Sequence, residues 1–292
     1  MGQTPRQGAG KDLGHGGQTR RQRPGAAAAR LISHRSQREP HAHPILAAFT
    51  AADPFAGGNF PHLFIVAQPL PANPDMCREL VTGPHFAVKT LNLISKITSS
   101  AGIRQMLAAA FPGIHADPQL SGLVHPFTTP HGALLSSVYQ GPADAAGQER
   151  WTRTLEIRQD GGLRYYQSHA GNPHQTFNAA RCTGLYLERI LTTTREILAT
   201  ATQLPHPQEP ARTWHLGVAV TGIRGARAAP PPSPYSMVFH NSRTYPGDTF
   251  HQVTTAPARE IETRPGQVTE RLLGQLARTL TDTSHAAFTD PP

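Results

Sequence analysis

Apolar and polar positions alternate most regularly in WTRTLEIRQDGGLRYYQSH, residues 151–169. Leu155 and Ile157 before a turn, and Leu163 and Tyr165 after it, recur at a spacing of two and fall on one face of a ribbon. Thr154, Glu156, Arg158 and Arg164 take the other face. Gln159-Asp160-Gly161-Gly162 supplies residues that tolerate positive φ, so the stretch predicts a β-hairpin. Arg153, Glu156, Arg158 and Arg164 are expected to form its solvated outward face, with alternating signs that discourage edge pairing.

The same patterning predicts the other elements. The apolar run Leu63-Phe64-Ile65-Val66-Ala67 reads as a strand covered on both faces. Asn73-Pro74-Asp75 opens a short helix to about Val81. Val88, Leu91, Ile94 and Ile97, then Ile103, Met106, Leu107 and Ala110, predict two helices. Residues 111–131, rich in Pro and Gly, read as irregular loop, and GALLSSVY at 132–139 as a strand.

Residues 171–175 are expected to break the chain, and a long helix follows from about residue 178. Its stripe runs through Leu187, Ile190, Leu191, Thr194, Ile197, Leu198 and Ala201, with Glu188, Arg189 and Arg195 facing away. That stripe is the natural cover for the Leu155–Tyr165 face. TWHLGVAVTGI at 213–223 predicts a strand with Gly217 and Ala219 leaving room for a helix on one side. A proline-rich excursion follows at 228–234, then a short strand at 250–255. Val268, Leu272, Leu276 and Leu280 mark a final helix, with Thr263 and Pro265 as its start signal.

Strands and helices without regular alternation predict an α+β fold, a mainly antiparallel sheet with covering helices. It is expected as a single domain over residues 53–285, with a sub-boundary near 112–131. A disordered basic tail over residues 1–50 precedes it. Residues 1–44 hold seven Arg and one Lys against Asp12 and Glu39, which is eight minus two, or +6 of the total +8; only +2 remains for the rest. Arg20, Arg21, Arg23, Arg30, Arg35 and Arg38 of this tail are candidates for nonspecific contact with nucleic-acid phosphates, against the reading of a solvated leader.

No apolar run reaches the length of a membrane span or a signal sequence. Cys77 and Cys182 form neither a metal knuckle nor a disulfide framework, and both fall in helical patterns as small buried residues. The expectation is a soluble, cytoplasmic protein without metal or other cofactor. Its partner is left open between another protein, a second copy of itself and nucleic acid.

Candidate chemistry is sparse. Gly222, Arg224, Gly225 and Arg227 follow a strand and offer Gly-rich backbone with guanidiniums for an anion, though the spacing matches no phosphate-loop or dinucleotide fingerprint. The alternative is a sheet-edge turn with solvated arginines. His125 and His131 flank a short loop and would need an acid such as Asp117 or Asp144 to make a site for a small-molecule enzyme. There is no G-x-S-x-G and no HExxH, so catalytic residues are not assigned.

Segment order carries one resemblance. A strand with a DGG turn, a long helix, HLGVAVTGIRGA, YPGDTFHQVTTA and VTERLLGQLARTL, preceded by HLFIVAQPLPANPDMCREL, cover roughly residues 55–280. Together they resemble the region downstream of the Schlafen AlbA-like domain in DNA-binding or ATP-binding proteins of GC-rich bacteria. The AlbA-like domain, with its ANxxGG-type turn, has no counterpart here, so no contact residue is carried over. The resemblance implies an accessory module, the C-terminal companion of a nucleic-acid-associated protein, from a truncated gene or one with a shifted start; with catalytic motifs missing, the module is expected to be non-enzymatic.

Overall fold

Strand β1 (His62–Leu70) is buried on both sides from Leu63 to Ala67 because both of its long edges are paired and both of its faces are covered. The computed structural model describes residues 42–56, 58–99, 120, 123, 125–140, 150–177, 180–204, 213–229, 242–281, 288 and 290. These belong to one compact unit, Glu39–Pro292.

In chain order, helix α1 (Ala42–Ala51) precedes β1, and α2 (Arg78–Thr82) and α3 (Phe86–Ser99) follow it. Next come β2 (His125–Thr129), β3 (Gly132–Gln140), β4 (Arg150–Arg158) and β5 (Leu163–Gln167). Then β6 (Gly171–Phe177) and β7 (Ala180–Leu185) lead into α4 (Leu187–Gln203). Finally, β8 (Thr213–Thr221), β9 (Arg227–Ala228) and β10 (Thr249–Pro257) are followed by α5 (Ala258–Thr263) and α6 (Pro265–Leu280).

Among the described residues, seven strands form one antiparallel sheet in the order β10-β8-β1-β5-β4-β3-β2. The fold is therefore α+β, with helices on a mainly antiparallel sheet. One face carries the large core. Leu63, Ile65, Leu155, Ile157, Leu163, Tyr165, Trp214 and Val218 pack there against α3, α4 and α6. Full burial of each aliphatic side chain contributes roughly 1.5–3 kcal/mol, so this layer dominates stability.

The predicted hairpin is β4–β5, with Leu155 opposite Tyr165 and Ile157 opposite Leu163. Every position of the predicted stripe from Leu187 to Ala201 is buried in α4. That helix is buried well beyond its stripe, because it lies between the sheet, α3 and α6. Arg195 does not face away as its spacing suggests but is 2% exposed, and Glu196 is buried too. Glu196 Oε2 accepts the Leu120 N–H at 2.9 Å. Burial lowers the Arg195 guanidinium to about 10, opposed by the charge of Asp290. Asp290 also accepts the Gly266 N–H at 2.5 Å, satisfying one of the free donors at the start of α6. Thr263 does not cap that helix; its hydroxyl donates to Arg259 O within α5.

Other expectations need correction. Helix α1 forms inside the segment expected to be disordered, because Leu46 and Phe49 find apolar partners on the second sheet face. Residues 1–41 lie outside the described residues, and so does the helix expected over 103–110. Where loop was expected before His131, β2 pairs with β3 as the outermost strand of the same sheet, inside the window of the expected sub-boundary. Where a helix was expected from residue 178, a β6–β7 hairpin forms and α4 begins at Leu187. Cys182 accordingly lies on a strand, while Cys77 sits in the turn before α2.

Candidate functional site

Alternation along β1 sends His62, Phe64, Val66 and Gln68 to the second sheet face. Phe64, Val66, Tyr166 and Ala219 make a small apolar patch there, and Leu46 with Ile45 and Phe49 of α1 covers it. Gly217 allows this approach: a Cβ there would sit 3.2 Å from Leu46 Cδ2 and 2.9 Å from Val66 Cγ2. The small residues of β8 thus admit a helix, as expected, though that helix is α1, from the segment expected to be a disordered tail.

Helix α1 is too short to cover the whole face. Beside it, toward the β4–β5 turn, the sheet leaves a hollow of about 340 Å³, near the lower end of the roughly 300–1,000 Å³ of small-molecule sites. Ile45, Leu70 and Ala72 give it apolar walls. Gln68, Arg158, Asp160, Arg164 and His215 supply polar groups. The expected solvated face is therefore half-buried instead: the side chains of Glu156, Arg158 and Arg164 are 15%, 18% and 33% exposed. Arg153 does not join them; strand alternation puts it on the Leu155 side, where its charge acts on Tyr165.

The charges in the hollow are unevenly engaged. Arg158 lies 3.9 Å from Glu156 and 3.6 Å from Asp160, and Arg164 lies 4.0 Å from Glu156. Those separations are beyond hydrogen-bond length. Among the described residues neither guanidinium donates a hydrogen bond. The carboxylates do accept: Asp160 Oδ1 takes the Gly162 N–H at 2.9 Å, and Glu156 Oε1 shares the Thr129 hydroxyl, at 3.4 Å, with the Gly132 carbonyl at 3.3 Å. Burial, and then the like charge of Arg158, lowers the Arg164 guanidinium from its ordinary value. Arg164 also lies over the Phe49 ring of α1, 6.0 Å from its centroid.

The DGG turn forms one end of this hollow. Gly161 adopts φ +82°, and a Cβ there would run into Met76 Sδ. At Gly162 a Cβ would come within 2.6 Å of Gln68 Oε1 and 3.2 Å of Arg158 Cδ. Gly161 suits the turn through its φ, and at both positions a side chain would have to displace its neighbours.

A second polar cluster lies at the opposite end of α1. Asp53 Oδ2 accepts from His62 Nδ1 at 2.5 Å, and Asp53 Oδ1 accepts from the Tyr166 hydroxyl at 3.1 Å and the Phe55 N–H at 2.9 Å. Burial and the Asp53 carboxylate raise the Tyr166 phenol from its ordinary value. Next to it, Ser168 Oγ and His169 Nδ1 are 3.0 Å apart, and the Phe60 ring lies tilted over the His169 ring with centroids 3.8 Å apart. Burial, then His62, lowers His169 to about 4. With three donors on one carboxylate, the arrangement ties the loop after α1 to the sheet.

No family model, curated protein or solved structure matches the chain.

Residues singled out by sequence fall elsewhere. Gly222 and Gly225 have φ of +68° and +73° in the turn after β8. The N–H groups of Ile223, Gly225 and Ala226 donate to Asp248, Tyr245 and Ile223 carbonyls, so the turn's own structure occupies them. Arg224 is exposed, 4.0 Å from Asp248, and Arg227 lies on β9. His125 starts β2, and His131 follows its far end. The register separates them by about four residues of strand, roughly 13 Å, and both are exposed. Asp117, Asp144 and the tail arginines Arg20 to Arg38 lie outside the described residues. Among the described residues no group of three His, Cys, Asp or Glu is placed to hold a metal ion. No described helix is long and apolar enough to cross a membrane.

Sequence reasoning did not assign Gln68, His215 or the Asp53–His62 pair. A faint signal existed for the first two, each a polar residue inside an otherwise apolar strand run.

Proposed function

We propose that this chain is a non-enzymatic α+β binding module whose working surface is the hollow beside α1. One observation carries the reading: two half-buried guanidiniums line the hollow without donating a hydrogen bond to any described residue. Buried polar groups kept only for structure are normally paired, so unused donors in a concave site point to an external partner. The resemblance in segment order supports a wider role, as the cytoplasmic accessory region of a nucleic-acid-associated protein.

A thermal-shift screen of small molecules against wild type and R158Q/R164Q tests the binding reading. Compounds that raise the wild-type midpoint but not that of the double variant are expected, and mass spectrometry should recover them unchanged. A screen in which every stabilising compound acts equally on both proteins sinks this reading.

The Asp53–His62 pair favours a second reading, as an enzyme, because a carboxylate on Nδ1 orients an imidazole for proton transfer at Nε2. Conversion of a stabilising compound, abolished in H62Q, would decide for it.

A further inference from the structure

Building on the binding reading, we infer that the hollow takes a small oxyanion, a carboxylate or a phosphate monoester carried on a short apolar body, clamped between Arg158 and Arg164. Three features of the site select this class. The first is donor supply: each guanidinium has five N–H groups in a rigid fork suited to carboxylate or phosphate, and neither uses one on a described residue. An anion between them would receive charge-assisted hydrogen bonds that the 3.6–4.0 Å ion pairs do not provide.

The second feature is the fixed role of the acids. Asp160 holds the turn through Gly162, and Glu156 accepts from Thr129. Their placement orients the arginines while the guanidinium donors stay free, which disfavours a cationic ligand as well as a neutral one. The third is shape: Ile45, Leu70 and Ala72 offer an apolar wall beside the arginines, and the volume limits the ligand to a compact molecule. Ile45 belongs to the first turn of α1, so the positive end of that helix dipole lies at the same rim. Gln68 adds an amide that can either donate or accept.

The test uses the full chain and four defined probes, benzoate, phenyl phosphate, benzamide and inorganic phosphate, titrated by NMR chemical-shift change. Benzoate or phenyl phosphate should bind saturably, and the tighter of the two identifies the oxyanion. Benzamide should bind at least 10-fold more weakly, as should inorganic phosphate, which lacks the apolar body. R158Q and R164Q should each weaken the preferred probe 10-fold or more, while R158K and R164K recover part of the loss. Circular dichroism of the four variants confirms that the fold persists.

Benzamide binding as tightly as benzoate, and lost in R158Q, would overturn the ligand class but leave the hollow as a binding site. Equal binding of the anions to wild type and to both Gln variants would overturn the site assignment. Absence of saturable binding by either apolar anion would overturn the inference, whereas the library screen decides separately whether the hollow binds anything.

Discussion

Glu188 on α4 is one residue whose environment makes a measurable difference. Burial raises its carboxyl to about 7, and its Oε2 is buried without a hydrogen-bond partner among the described residues. An acid whose folded value lies above its ordinary one favours folding when protonated. Its contribution is complete below about pH 4.5 and is lost as pH rises toward 7. Glu188→Gln should therefore raise the melting midpoint at pH 8 by about 2–4 °C and leave it unchanged at pH 4. A midpoint that falls at pH 8 would show that Glu188 has an ionised partner. Gly161 is equally specific: Gly161→Ala forces a side chain into φ +82° and against Met76. The expected cost is about 2 kcal/mol by chemical denaturation. His169 titrates with the opposite sign to Glu188. Its folded value near 4 lies below the ordinary 6.5, so stability is intact above pH 6.5 and erodes as pH falls toward 4. His169→Gln should flatten that acid limb in pH-dependent melts.

At the scale of elements, α1 depends on its surroundings. Ten residues are too few to hold a helix in water without packing, so its order derives from Phe64, Val66, Ala219 and the Asp53 cluster. Asp53→Ala strips three donors of their acceptor and should cost about 2–3 kcal/mol. Hydrogen exchange in α1 should accelerate more than in α4. Equal acceleration in both would mean that the cluster supports the whole fold instead of this helix. The same dependence explains what the sequence could and could not convey. The β4–β5 hairpin and the α4 stripe declare themselves through period because one face of each meets a large core, and β1 declares itself through a continuous apolar run because both of its faces are covered. Helix α1 has only Ile45, Leu46 and Phe49 to mark it beside a basic tail, and β6 is a polar segment containing a proline whose strand character comes from pairing with β7. Arg158 and Arg164 read as solvated because alternation reports which side a residue takes, not whether a neighbouring element half-covers that side. The hollow lies beside α1, and no local pattern records where a helix will lie across a sheet.

At the scale of the whole molecule, the continuous core beneath the sheet makes the face assignment decisive. Leu155 is fully buried opposite Tyr165, and Leu155→Asp would place a carboxylate in that layer without a partner. A loss of more than about 4 kcal/mol is expected, enough to abolish the cooperative thermal transition. Strand order then has a consequence for synthesis. The first described strand, β1, lies between β5 and β8, whose residues emerge from the ribosome about 100 and 150 positions later. Throughout that interval LFIVA is an apolar segment without its neighbours, the kind of stretch that chaperones hold and that aggregates when they do not. A chain ending after Gln203 has β5 but lacks β8, leaving one edge of β1 open. Such a fragment should be cleaved rapidly by protease and retained by chaperones, with resistance appearing only once synthesis passes Leu280 and both the neighbouring strand and α6 are available.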